Sequence, residues 1–184
     1  MERKWIYSVG GWSAYLFAFT SILTSIIVFI LLPLRLPFNN VIAGFTRIPW
    51  ILLIIPIAIA FYQQSRFYAK LLSIIALVVG IVGILYSTVA IFSVSFGETD
   101  FNRDDVFFTA AIGFWFLVTN FLLLFNNFQS RGFSLLGIFI GLVVLTSLFL
   151  KDSLFIIIGI PILLGGFLYP AWAFWTGREL LKMS

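Results

Sequence analysis

The chain has 184 residues, of which 62% are hydrophobic, and its mean hydropathy of +1.14 is too apolar for a soluble globule of this size. It has no cysteine, which excludes a disulfide framework, thiol catalysis and an iron–sulfur site. It also has no histidine, which excludes the ordinary haem ligand, His-based zinc sites, Ser–His nucleophile pairs and a histidine pH switch, so no cofactor is expected.

Charged residues divide the sequence into six charge-free runs. The eleven Lys and Arg and seven Asp and Glu leave residues 5–34, 48–65, 71–97, 106–130, 132–150 and 153–177 without charge. Each run is about as long as the roughly 20 apolar residues that cross a bilayer as an α-helix. The sequence therefore predicts an all-α fold, a polytopic membrane protein in which residues 1–184 form one six-transmembrane-helix bundle. The helices are expected at about residues 11–33, 48–63, 70–94, 106–125, 134–150 and 153–175.

Helix 1 follows a basic N-terminus but has no small-residue cleavage pattern of a signal peptide, so we expect it to be retained. It carries several hydroxyl side chains, including Ser21 and Ser25 one turn apart. Such hydroxyls can bond to the carbonyl four residues back in their own helix and need no ligand. The alternative is that Ser21 and Ser25 line a path for a solute.

Helix 2 is expected to begin near Pro49, because proline suits the first turn of a helix. An earlier start at Val41 would place Arg47 one to two turns inside the outer membrane boundary, where a guanidinium is unusual. We expect the long Arg47 side chain to reach headgroup phosphates instead. Pairing of Arg47 in an enclosed cavity would make it a functional candidate.

Small residues recur along helix 3 at spacings of three and four: Ser73, Ala76, Gly80, Gly83, Ser87 and Ala90. In lipid such a stripe lets another backbone approach closely, so we expect helix 3 at the bundle centre. Gly137 and Gly141 in helix 5, and Gly159 and Gly166 in helix 6, are expected to pack within the chain rather than form a homodimer seam.

Helix 4 holds Asn120, whose amide has two donors and an acceptor that its own helix cannot all satisfy. We expect a hydroxyl or a freed carbonyl of a neighbouring helix as its partner, with a solute contact as the alternative. In helix 6, Pro161 and Pro170 free the carbonyls of Ile157 and Gly166 and predict kinks.

Membrane orientation follows from the basic residues. Alternating the segments between helices gives seven Lys and Arg on one side and four on the other, which predicts a cell-membrane protein with both termini cytoplasmic. The net charge of +4 is explained by this orientation, so no nucleic-acid partner is expected. Five tryptophans near the ends of the runs are expected at headgroup level, namely Trp5, Trp12, Trp50, Trp172 and Trp175.

The C-terminal segment Pro170-Ala171-Trp172-Ala173-Phe174-Trp175-Thr176-Gly177-Arg178-Glu179-Leu180 resembles the closing Pro-x-Trp-x-x-Trp-x-Gly-Arg-x-Leu segment of a group of uncharacterised bacterial six-helix membrane proteins. The resemblance implies the fold and a bacterial setting. That group has no established activity, so no functional residue is carried over.

Three functions remain open. The first is a non-enzymatic accessory or scaffolding subunit whose partners are the lipid bilayer, other membrane subunits, pigments or other apolar ligands, because charge-free helices lack the proton relays and counter-ions of pumps. The second is a carrier or channel for a neutral or apolar solute that uses Ser21, Ser25, Asn120 and the helix 6 kinks. The third is an intramembrane enzyme, whose reactive groups would come from Arg47 or the Asp104 and Asp105 pair at the membrane boundary. The oligomeric state is left undetermined.

Overall fold

A computed structural model describes residues 2–34, 39–95, 101–125, 130–147 and 163–184 of the chain, and the side chains of most of them. Most of the described residues are helical, and none of them is in a strand. The helices are α1 (Glu2–Leu34), α2 (Asn39–Ser65), α3 (Lys70–Ser95), α4 (Phe101–Leu124), α5 (Arg131–Ser147) and α6 (Tyr169–Leu181), the last preceded by a π-helical turn at Leu164–Leu168. The all-α prediction is confirmed.

Several predicted helix boundaries are wrong. α1 begins at Glu2 rather than residue 11, and α2 begins at Asn39 rather than residue 48, so Arg47 lies inside α2. α4 and α5 also begin earlier than expected, and α6 continues to Leu181. For α4, α5 and α6 the cause is that hydropathy marks only the apolar stretch, whereas backbone hydrogen bonding continues into the polar residues at its ends. Pro161 and Gly159 lie outside the described residues.

The helices form a closed ring in which neighbours in sequence are neighbours in space. α1 packs against α2 and α6, α2 against α3, α3 against α4 and α4 against α5, and a sparser contact between α5 and α6 closes the ring. The core inside is rich in aromatic residues, and its largest fully buried side chains are Trp115, Trp172, Phe17, Phe61, Phe116 and Phe133.

In the described part of the chain, one helical segment is long and apolar enough to cross a membrane, Lys4–Ile27 within α1. The other apolar segments within that part have 10–17 residues and are Leu52–Ser65, Lys70–Tyr86, Ala110–Leu124 and Arg131–Thr146. The fold is thus a helical bundle with one candidate span near its N-terminus.

The small-residue stripe of α3 makes the predicted close contacts. A Cβ atom added at Gly80 would lie 2.8 Å from the Trp115 ring, and Gly83 lies directly against Ala111, both on α4. The expected central position of α3 is nevertheless wrong, because α3 packs mainly against α2 and α4 and exposes its opposite face. A stripe of small residues determines how closely one neighbour approaches but not how many neighbours a helix has.

Gly137 and Gly141 on α5 pack within the chain as expected. A Cβ at Gly141 would lie 2.7 Å from the backbone nitrogen of Leu117 on α4. Gly166 departs from the expectation, since no atom of the described residues lies within 4 Å of its added Cβ.

The expectation that the tryptophans near the run ends lie at headgroup level is wrong for Trp172, which is buried in the core. Trp5 and Trp12 are largely exposed, whereas Trp172 is 0% exposed. The reason is its helical face, because Trp172 shares the inward face of α6 with Ala173 and Thr176, which are also fully buried.

Candidate functional site

Asn120 lies in the interior of the bundle with 0% of its surface exposed. Its Nδ2 donates to the carbonyl oxygen of Phe116 one turn back at 2.8 Å, and its Oδ1 accepts a long hydrogen bond of 3.4 Å from Nε1 of Trp172 on α6. The expectation that the amide is satisfied inside the bundle is confirmed. The neighbouring partner, however, is an indole rather than the expected hydroxyl or freed carbonyl.

Aromatic rings surround this hydrogen-bonded pair. The Trp172 ring centroid lies 4.7 Å from that of Phe116, 5.7 Å from Phe61 and 6.1 Å from Phe133. Edge-to-face and stacked pairs at these distances are attractive beyond their buried area. Because these rings come from α2, α4, α5 and α6, the space next to Asn120 is filled by side chains of four helices.

Gly137 on α5 packs directly against the side chain of Asn120. A Cβ atom at Gly137 would overlap Cγ, Oδ1 and Nδ2 of the Asn120 side chain. The amide therefore occupies the volume that any other residue at position 137 would need. Asn120 links three helices, through its own position on α4, its contact with α5 and its hydrogen bond to α6.

A second polar contact lies where α1 crosses the π-helical turn. Ser21 Oγ donates to the carbonyl oxygen of Gly165 at 2.8 Å, so Ser21 bonds across helices rather than within α1 as its plain interpretation predicted. In the π-helical turn the N–H of Tyr169 donates to the carbonyl oxygen of Leu164, five residues back. By the same spacing the carbonyl oxygen of Gly165 would accept from residue 170, but Pro170 has no N–H. Ser21 supplies the missing donor.

Ser25 lies beside the same turn. A Cβ atom at Gly165 would be 2.9 Å from Ser25 Oγ. The predicted proline effect at Pro170 is thus present as a π-helical turn, and the freed carbonyl is that of Gly165 instead of Gly166 because the π register shifts the bonding by one residue.

The two polar contacts belong to one aromatic layer. Tyr169, four residues after Gly165, lies 6.2 Å from Phe17 on α1 and 5.6 Å from Phe116 on α4, measured between ring centroids. Phe116 in turn contacts Trp172. The structure therefore brings Asn120 and the Ser21–Ser25 pair to the same interior face of α6 and the π-helical turn. Arg47 is in α2, and its side chain lies outside the described residues.

Seven basic residues of the described helices and turns lie at the end of the bundle where α1, α3 and α5 begin and α2 and α6 end, which we call the basic end. They are Arg3, Lys4, Arg66, Lys70, Arg131, Arg178 and Lys182. Here Glu179 is only 6% exposed, and its Oε1 forms an ion pair with Nζ of Lys182 at 2.9 Å. Buried Gln64 donates from Nε2 to Sδ of Met183 at 3.4 Å.

Sequence reasoning missed Trp172, Gln64 and Glu179 as interior residues. A signal for Glu179 existed, since it stands seven residues after Trp172 and three after buried Thr176, which is the same helical face. Nothing in the sequence pattern alone identifies Trp172 as the partner of Asn120.

The interior polar groups suit hydrogen bonding rather than proton transfer. Amide, indole and hydroxyl side chains do not ionise near neutral pH, and the carboxylate of Glu179 is paired at the basic end. Comparisons with protein-family models, curated proteins and solved structures found no match to this chain.

Proposed function

We propose that the chain is a multi-pass membrane protein that acts as a non-enzymatic accessory or scaffolding subunit, with lipid and partner helices on its outer faces. The observation that carries the proposal is the contrast, within the described residues, between a packed aromatic interior and an apolar exterior. Inside, aromatic rings pack around the Asn120–Trp172 hydrogen bond.

The outward faces of α1, α3 and α5 carry large apolar side chains that are more than two-fifths exposed. They include Leu16, Phe19, Ile22, Leu23, Ile26, Leu71, Ile75, Val78, Val82, Leu85, Val89, Leu135, Phe139 and Leu142. Water-soluble monomers rarely expose contiguous apolar surface of this extent. Lipid chains or partner helices match it, and this supports insertion of the bundle in a membrane.

The charges of the basic end support the orientation. Basic residues are retained on the cytoplasmic face of a membrane, so both termini are proposed to be cytoplasmic. The resemblance of the segment around Trp172 and Trp175 to bacterial six-helix proteins supports a bacterial cell membrane.

Two experiments test the proposal. The protein should stay in the membrane pellet after alkaline carbonate extraction, and release into the supernatant would refute membrane insertion. Photo-crosslinking residues at the exposed positions Val82 and Phe139 should capture a defined protein partner in whole cells, whereas one at the buried position Ala76 should not. Crosslinks to lipid alone at both exposed positions would refute the scaffolding function.

The carrier hypothesis is tested with glycerol, a neutral solute. Proteoliposomes that contain the protein should take up glycerol no faster than empty liposomes, measured by stopped-flow light scattering. Faster uptake that Asn120→Leu abolishes, with unchanged reconstitution, would replace the accessory function by a carrier.

A further inference from the structure

We propose that the α5–α6 corner of the basic end, formed by Arg131, Trp175 and Arg178, binds the phosphate headgroup of an anionic phospholipid. The proposal rests on the membrane placement argued above. It assigns a specific lipid site to the basic end, whose charges were used above only to argue the membrane orientation of the chain.

The corner is held together by a contact between α5 and α6. A Cβ atom at Gly132, in the first turn of α5, would lie 3.1 Å from Cη2 of Trp175. Arg131 directly precedes Gly132, and Arg178 stands three residues, about one turn, after Trp175. Both arginines are exposed, and each stands within about one helical turn of the contact between Gly132 and the half-buried indole.

These two arginines are available for a ligand, unlike others at the basic end. Lys182 is paired with Glu179, and the Arg66 guanidinium lies over the rings of Tyr62 and Phe67 at 6.0 and 5.3 Å. Within the ranges that the structure describes, neither Arg131 nor Arg178 forms an ion pair with a carboxylate, and neither guanidinium lies over an aromatic ring. Their positive charge is not compensated by the protein there.

A phospholipid matches the corner in charge and in polarity. The planar guanidinium fork fits phosphate oxygens, indoles favour the headgroup level, and basic pockets between membrane helices on the cytoplasmic side accept anionic headgroups. The outward face of α5 below Arg131 is apolar, with Leu135 and Phe139 exposed, as acyl chains require. Among the described residues, α5 packs more sparsely against α6 than against α4.

The test is native mass spectrometry of the full chain purified in detergent with added phosphatidylglycerol or phosphatidylcholine. The wild type should retain phosphatidylglycerol in preference. The double variant R131Q/R178Q should retain at least about fivefold less, because each basic group near an anionic surface contributes roughly a fivefold factor. The matched control K4Q/K70Q removes two exposed charges from the same end and should behave like the wild type.

Equal loss in both double variants would show a diffuse charge effect and overturn the site, as would equal retention of the two lipids by the wild type. Binding of a glutamate-rich peptide at the corner in place of lipid would assign it to an acidic protein partner and also overturn it. The single variants R131Q and R178Q replace the double variant if that chain does not fold. Release by carbonate refutes membrane insertion separately, so the two failures are distinguishable.

Discussion

Gly137 of α5 lies directly against the amide of Asn120 on α4, with no room for a methyl group between them. Gly137→Ala should therefore lower the free energy of unfolding by about 1–3 kcal/mol, the usual cost of overpacking a filled interior. Thermal unfolding in detergent, followed by circular dichroism, measures the effect. Gly166→Ala is the matched control, since its added Cβ meets no described atom within 4 Å. Equal melting temperatures for the two variants would contradict the packing assigned to Asn120.

The hydrogen bond between Trp172 and Asn120 should appear as an energetic coupling. Asn120→Leu and Trp172→Phe each remove one partner, and a double-mutant cycle should give a coupling of about 0.6 kcal/mol, typical of interhelical hydrogen bonds in membrane proteins. The measurement is denaturant unfolding of the four chains. Strict additivity would mean that the 3.4 Å contact contributes no stabilisation.

Ser21 and Pro170 should be coupled through the carbonyl of Gly165. Ser21→Ala leaves this carbonyl without a donor and should destabilise the bundle by about 1 kcal/mol. In a Pro170→Ala background the new backbone N–H can serve the carbonyl, so the same Ser21→Ala change should cost less. Unfolding free energies of the single and double variants decide this. An unchanged cost in the Pro170→Ala background would show that Ser21 acts independently of the proline.

Gly80 on α3 should tolerate no large side chain. Gly80→Leu drives atoms into the Trp115 ring and should cost several kcal/mol, in the range of overpacking with backbone displacement. Val82→Leu, at a position 47% exposed on the same helix, is the control and should leave the melting temperature nearly unchanged. Similar melting temperatures for both variants would place Gly80 away from a close helix contact.

The chain has no native thiol, so single cysteines can report membrane orientation. With both termini cytoplasmic, an impermeant maleimide added to intact cells should label Thr99→Cys but not Ser184→Cys. Thr99 lies outside the described residues. Permeabilised cells, in which both sites should react, provide the control. The reverse labelling pattern would contradict the orientation.

The sequence predicted the all-α fold well, but it predicted most helix boundaries and the position of α3 among its neighbours poorly. Charge-free runs locate helices because burial of charge in lipid or in a core is costly, and this gave the start of α3 at Lys70. The small stripe identified Gly80 and Gly83 as contact points. It could not place α3 at the edge, since the number of neighbours depends on how all the helices pack.

The sequence predicted one of the two residues in the central hydrogen bond of the candidate site, Asn120, but not its partner, Trp172. Asn120 stands out because an amide in an apolar helix must find a partner. Trp172 does not stand out, because a tryptophan near the end of an apolar run fits the headgroup level and the core equally well. The π-helical turn was not predicted, for a related reason. The sequence shows that Pro170 lacks an N–H, but the helical register around it depends on a hydroxyl from another helix, that of Ser21.

The pairing of α1 with α6 also has a consequence for biogenesis. Gly11 on α1 lies against Gly177 on α6, and Ser21 on α1 bonds to the turn just before α6. The ribosome makes α1 long before α6, so in the membrane-inserted bundle proposed above this face of α1 has no partner until residues 163–184 emerge. Chains stalled before residue 163 should therefore be recognised by membrane proteases, and complete chains should become resistant only after α6 has docked.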